Sequence, residues 1–292
     1  QLAIHVVLFF LSEFLFLARR TLPTEEEQYD VYRKLLLRMK GRPVTIRTFD
    51  LRPDKLMAVS HFTQAGARPF DWRLVLESPQ LQQLFYEQIR AILRAGASEK
   101  ENVGRARIVI PLVTHSELLD FVLSTLKRAR RELRSEGLSF AEEVTLGLVA
   151  RAAAATTMLD LWAEHVDFFA LGTNDLAASA LGIDRDDAIA PMQSDPLHPG
   201  LLRLIQKVVG LAHEANRPIT VCGEMAADPQ GCLALAAIGV DALSVPVRQL
   251  QEVRRYLSRC QSAELRDRVE ELVRQRTAVE VRTILESFSA EH

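Results

Sequence analysis

The sequence predicts an α/β fold of eight parallel strands, each followed by a helix, closed into a (β/α)8 TIM barrel that forms a single domain over residues 1–292. Three observations lead there. Apolar strand-like runs alternate with helical patterns along the whole chain, and that alternation calls for a parallel sheet with right-handed crossovers. Eight such repeats in 292 residues suit a closed barrel better than an open sheet. Two of the runs end in polar clusters that turn at a glycine into a helical pattern, Leu171-Gly-Thr-Asn-Asp-Leu176 and Val221-Cys-Gly-Glu-Met225. The carboxyl ends of parallel strands are where such folds build their sites.

The elements run in order along the chain. Strands are expected over Ile4–Phe10, Val44–Phe49, Pro69–Arg73, Arg107–Val113, Val144–Val149, Val166–Leu171, Ile219–Cys222 and Ala242–Val245. Helical periodicity fills Glu25–Met39, Pro79–Ala95, Ser116–Arg134, Ala153–Glu164, Gly200–Ala215, Pro229–Ile238 and Val247–Leu257, with a last charged helix over Ala263–Ser287. The first helix announces its start. Thr24 and Glu27 have capping-box spacing, and the acidic run Glu25-Glu-Glu27 suits a helix N-terminus. The stretch Ile183–His198, rich in Asp and Pro, reads as a lid or rim loop over the C-terminal face. The first 17 residues are strongly apolar, but Glu13 interrupts them and no basic segment precedes them. They read as a buried strand entering a helix rather than a membrane anchor. The abrupt start at Gln1 suggests a fragment.

Composition narrows the partners. A net charge of −2, with Lys and Arg dispersed, favours neither nucleic acid nor an acidic membrane surface. Three cysteines without CxxC spacing argue against a disulfide framework or a zinc site and place the chain in a reducing cytoplasm. The chemistry then rests on few residues. Asp175 and Asn174 offer a carboxylate and an amide at one strand end, and Cys222 offers a thiol at another. Arg47 lies inside an apolar strand, so it must meet an anion, either a ligand or a carboxylate such as Asp50. Taken alone, Asp175 reads first as a helix cap, and Cys222 as a buried structural cysteine. This set suits a metal-assisted reaction on a small anion, with the thiol handling a proton.

An ordered series of motifs resembles the PEP-binding, C-terminal domain of enzyme I of the bacterial phosphotransferase system, the phosphoenolpyruvate–protein phosphotransferases. It comprises Glu13-Phe-Leu-Phe16, Leu22-Pro-Thr-Glu-Glu-Glu-Gln-Tyr29, Val44-Thr-Ile-Arg-Thr-Phe-Asp50, Phe70-Asp-Trp-Arg73, Arg107-Ile-Val-Ile-Pro111, Phe168-Phe-Ala-Leu-Gly-Thr-Asn-Asp-Leu176, Asp184-Arg185, His198-Pro199 and Cys222-Gly-Glu-Met225. The resemblance implies binding of phosphoenolpyruvate (PEP) with magnesium. It also implies transfer of the phosphoryl group to a histidine on a separate N-terminal domain, a phosphocarrier protein as partner in sugar transport, and a homodimer. Arg47 and Arg73 would hold the phosphate, with Arg185 adding to the anion site. Asn174 would contact phosphate, Asp175 would ligate the metal, and Cys222 would protonate the enolate carbon. A thiol of ordinary pKa, about 8.5, is mostly protonated at neutral pH and can act as an acid.

The chain departs from the family in three places. A second metal carboxylate is expected in a Gly-x-x-x-Glu-Thr-Pro-Ala strand end, which here reads Gly147-Leu-Val-Ala-Arg-Ala-Ala-Ala154. Arg151 stands at the glutamate position. A guanidinium about 5 Å from a divalent cation would be repelled by roughly 6–7 kcal/mol at an effective dielectric near 20. A Gly-Gly-Asp-Lys loop is Arg52-Pro-Asp-Lys55, and the arginine expected just before Glu13-Phe-Leu-Phe16 is Leu11, with Ser12 between. The alternative expectation is therefore a catalytically impaired, metal-independent PEP- or anion-binding module.

Overall fold

The structure is a computed structural model, and it describes residues 8–16, 21–50, 73–97, 103–111, 113–183, 195–259 and 262–290. The chain divides into two compact units, Val7–Leu148 and Val149–His292 with Gln1–Val6.

The first unit begins with β1 (Leu8–Leu11), α1 (Glu25–Met39) and β2 (Val44–Arg47). It continues through α2 (Arg73–Glu77), α3 (Pro79–Ala95), β3 (Ala106–Ile110) and α4 (Ser116–Ser135) into β4 (Thr145–Ala150). Every pairing is parallel and in chain order. Leu11 sits level with Arg47, Arg47 with Val109, and Val109 with Gly147. The start of α1 is as expected: the Thr24 hydroxyl accepts the Glu27 N–H while the Glu27 carboxylate accepts the Thr24 N–H at 2.9 Å.

Helices α1, α3 and α4 are joined by charge as well as by apolar contact. Arg90 of α3 is 8% exposed. Its Nε donates to Glu25 at 2.6 Å, and its Nη1 and Nη2 donate to Glu136 at 3.0 and 2.7 Å. That fork geometry holds the Glu136 carboxyl below its ordinary range, and the Arg90 guanidinium is correspondingly harder to deprotonate.

Gln88, also on α3 and fully buried, pins the chain beyond the ends of β1 and β2. Its Nε2 donates to Ser12 Oγ at 3.0 Å and to the Tyr32 hydroxyl at 2.9 Å, while its Oε1 accepts the Phe49 N–H at 2.9 Å. Burial pushes the Tyr32 hydroxyl pKa up, so it stays a neutral hydrogen-bonding group. Replacing Gln88 by Leu removes a partner from the Ser12 and Tyr32 hydroxyls and the Phe49 N–H, of which Tyr32 keeps Gln28 at 3.3 Å. We expect a loss of about 3 kcal/mol or more in denaturant-measured stability.

The second unit carries the end of β4, the short helices α5 (Ala153–Thr156) and α6 (Leu159–Trp162), β5 (Phe168–Gly172) and α7 (Thr173–Leu181). Then come α8 (Pro199–Glu214), β6 (Ile219–Cys222), α9 (Pro229–Ile238) and β7 (Ala242–Ser244). Four helices close the chain: α10 (Leu250–Arg259), α11 (Ser262–Asp267), α12 (Val269–Arg274) and α13 (Ala278–Ala290). The strands again pair parallel and in order, and Gly172, Cys222 and Ser244 lie level at their carboxyl ends. Asp241 secures the start of this layer: its Oδ2 accepts the Ile219 N–H at 2.8 Å and faces His213 at 2.9 Å.

Both units are all-parallel β/α series, and the fold class is the α/β, TIM-barrel type that the sequence predicts. Seven strands are described. The strand expected over Pro69–Arg73 falls largely outside the described residues, and Arg73 itself opens α2 instead. The helix expected over Ala153–Glu164 is two short helices with a break at Thr157-Met158, and the one over Ala263–Ser287 is three. Periodicity could not show these breaks because both stretches stay amphipathic across them. No helix among the described residues is long and apolar enough to cross a membrane.

Candidate functional site

In the second unit the strand ends of β5 and β6 bring Asn174, Asp175, Cys222 and Arg151 into one hydrogen-bonded neighbourhood. The chain leaves β5 at Gly172 and enters α7 directly, which places Asp175 in the first turn of that helix. Gly172 is the helix N-cap, so Asp175 is not the capping residue that an Asn-Asp pair suggests. Its carboxylate instead meets Arg151, the residue after β4, with Nε donating to Oδ2 at 2.8 Å. The side chains are 13% and 25% exposed. Gly172 makes room for this arginine: a Cβ there would lie 2.9 Å from Arg151 Cγ.

The second strand end is tied to the first. Cys222 Sγ donates to the Leu171 carbonyl at 3.5 Å, and the Thr173 hydroxyl donates to the Cys222 carbonyl at 3.4 Å. The Glu224 backbone N–H donates to Asn174 Oδ1 at 3.0 Å. That bond fixes which way the Asn174 amide faces, because only its oxygen can accept. Its Nδ2 donor is thereby directed away from the β6 turn. Gly223 permits the close approach. Its φ of 132° lies in a region that side chains avoid, and a Cβ would stand 2.3 Å from Thr173 Oγ1 and 2.8 Å from Asn174 Oδ1. The Glu224 carboxylate itself is exposed.

In the first unit Arg47 ends β2, where its guanidinium is ion-paired with Glu13 and lies 3.8 Å from Asp50. A buried carboxylate partner is one of the two readings that the apolar strand allows. The partner is mainly Glu13, which in the sequence reads only as an interruption of an apolar run. Burial pushes the Glu13 carboxyl pKa up, against the opposing pull of Arg47. Its Oε2 is buried with no hydrogen-bond partner among the described residues. The side chain of Arg73, and Arg185 altogether, lie outside the described residues.

Magnesium, which the resemblance implies, does not fit the described donors. A divalent ion needs hard oxygen ligands, and Asp175 is already neutralised by a cation at 2.8 Å. Among the described residues no group of three or more His, Cys, Asp or Glu side chains is arranged to hold a metal. What the arrangement offers is an anchored guanidinium, an oriented amide donor and a thiol, a set suited to a small anion.

Residues 4–262 match the family described as PEP-utilising enzyme, PEP-binding domain. Curated relatives agree. A phosphoenolpyruvate-protein phosphotransferase of Cupriavidus necator is 36% identical over 256 residues, covering 85% of this chain and 42% of the relative. That of Staphylococcus carnosus is 30% identical over 283 residues, covering 95% and 48%. Multiphosphoryl transfer protein 1 of Escherichia coli K12 is 29% identical over 282 residues, covering 97% and 33%. The chain thus spans half or less of the length of these relatives. On the extent of the match and the order of its motifs, this chain belongs to the PEP-utilising enzyme family, whose PEP-binding domain it represents.

Proposed function

We propose that this chain binds phosphoenolpyruvate without a divalent metal, as the PEP-binding part of a phosphotransferase-like protein. The observation that carries the reading is the Arg151–Asp175 pair. A fixed positive charge occupies the position where the family resemblance puts a metal carboxylate, and it engages the remaining one. Arginine suits the ligand, because its planar fork makes paired hydrogen bonds to phosphate or carboxylate and keeps its charge. Asn174 adds a neutral donor. Arg185 keeps the anion-binding role that the resemblance gives it. Calorimetric titration with PEP in the presence of EDTA tests this: binding is expected, and its absence in EDTA with recovery in magnesium contradicts it.

A second reading is the active one, in which the phosphoryl group passes to a histidine on a separate N-terminal domain, in a cytoplasmic sugar phosphotransferase system with a phosphocarrier downstream. Cys222 favours it. Its thiol sits at the carboxyl end of β6, 3.5 Å from the Leu171 carbonyl. Once phosphate has left PEP, the enolate carbon must gain a proton, and a thiol can supply it. Supplying an N-terminal domain in trans with saturating PEP and magnesium should then give phosphohistidine; no transfer rejects this reading.

A further inference from the structure

We infer that Asp175 is a built-in counter-anion: it neutralises Arg151 until the anionic group of the ligand displaces it. This rests on the metal-free reading and assigns the group that sets affinity within it.

Four features support the assignment. Asp175 contacts the Nε edge of the guanidinium at 2.8 Å, which is one of the edges a phosphate or carboxylate uses for paired hydrogen bonds. An incoming dianion and Asp175 therefore compete for the same atoms. The arginine cannot simply follow its partner, because its stem lies against the β5 end, where Gly172 leaves space for Cγ. Asp175 has somewhere to put its charge once released. It is in the first turn of the nine-residue helix α7, where backbone N–H groups and the helix dipole favour a carboxylate. The pair is also partly open, with side chains 13% and 25% exposed, so exchange with a dissolved anion needs no unfolding. Asn174, next in sequence, presents its Nδ2 once Oδ1 is taken by the Glu224 N–H. The ligand class is thus a small phosphate- or carboxylate-bearing dianion that outcompetes one internal carboxylate.

A counter-anion and a metal ligand make opposite predictions for the same substitution. Removing a metal ligand weakens binding, whereas removing a competing anion strengthens it. The test is calorimetry on the full chain, wild type beside Asp175→Asn and Asp175→Ser, titrated in EDTA with PEP and separately with inorganic phosphate. Circular dichroism and melting temperature identify the folded variants, and serine serves if the asparagine variant fails to fold. The expected result is tighter binding of both anions, by at least about fivefold, the low end of usual coupling between competing groups. Unchanged or weaker binding by the folded variants, with wild type still binding in EDTA, overturns the counter-anion role and leaves the metal-free reading intact. No PEP binding in EDTA by wild type or either variant overturns both. Binding in EDTA by the variants alone supports the counter-anion role if magnesium does not restore binding to wild type; if magnesium restores it, the metal-free reading and the counter-anion role both fail.

Discussion

Arg151→Ala is expected to lower PEP affinity by about 30-fold or more, and Arg151→Glu to make PEP binding depend on magnesium. The first figure comes from removing one member of a partly buried, hydrogen-bonded charge pair, which costs roughly 2 kcal/mol at the low end for such pairs. Here the loss has two sources. The ligand loses a cation, and Asp175, no longer neutralised, repels the incoming anion. The glutamate variant goes further, because it sets two carboxylates side by side. Hard oxygen donors of that kind bind magnesium, which brings positive charge back. Titrations of both variants with PEP, each with and without magnesium, check this. Wild-type affinity in the alanine variant would mean that Arg151 touches only Asp175 and does not serve the ligand.

Gly223→Ala is expected to cost about 2–4 kcal/mol of stability and to remove most PEP binding. Two penalties add. At φ 132° any side chain strains the backbone by roughly 1–3 kcal/mol. The new Cβ would also stand 2.3 Å from the Thr173 hydroxyl oxygen and 2.8 Å from Asn174 Oδ1. Overpacking of this sort typically costs a further 1–3 kcal/mol, part of which relaxation recovers. The functional consequence exceeds the structural one. The displaced atoms are those that orient the Asn174 amide and hold the Cys222 strand end. Chemical denaturation and a PEP titration on the same sample separate the two effects. Normal stability with normal binding would show that the β6 turn does not support the site.

The fold was legible to a large extent because its signals are local. Apolar runs bounded by polar turns gave β6 over Ile219–Cys222 as found, and the Thr24–Glu27 box placed the start of α1. Strand ends were less legible where residues beyond the ladder stay apolar: Thr48 and Phe49 are buried yet lie past the end of β2. The Thr48 N–H still reaches Val109, whereas the Phe49 N–H goes to Gln88, and a buried residue outside the ladder leaves the same sequence pattern as a strand. The site divides similarly. Arg151 announced itself as a charge reversal in a motif, and Gly223 as a glycine after a strand. Glu13 and Gln88 did not, because their partners lie 34 and 39 residues away or more, and nothing in the local pattern reveals such pairings. The part played by Glu224 was hidden for another reason: it is made by a backbone N–H, which any residue except proline carries.

The most direct measurement is the dissociation constant for PEP as a function of magnesium in the wild-type chain. If the Arg151 guanidinium supplies the charge that a metal would otherwise bring, Kd stays constant from EDTA to saturating magnesium. A Kd that falls steeply with added magnesium, from no detectable binding in EDTA, would show that Arg151 yields Asp175 to a metal and would contradict a metal-free site.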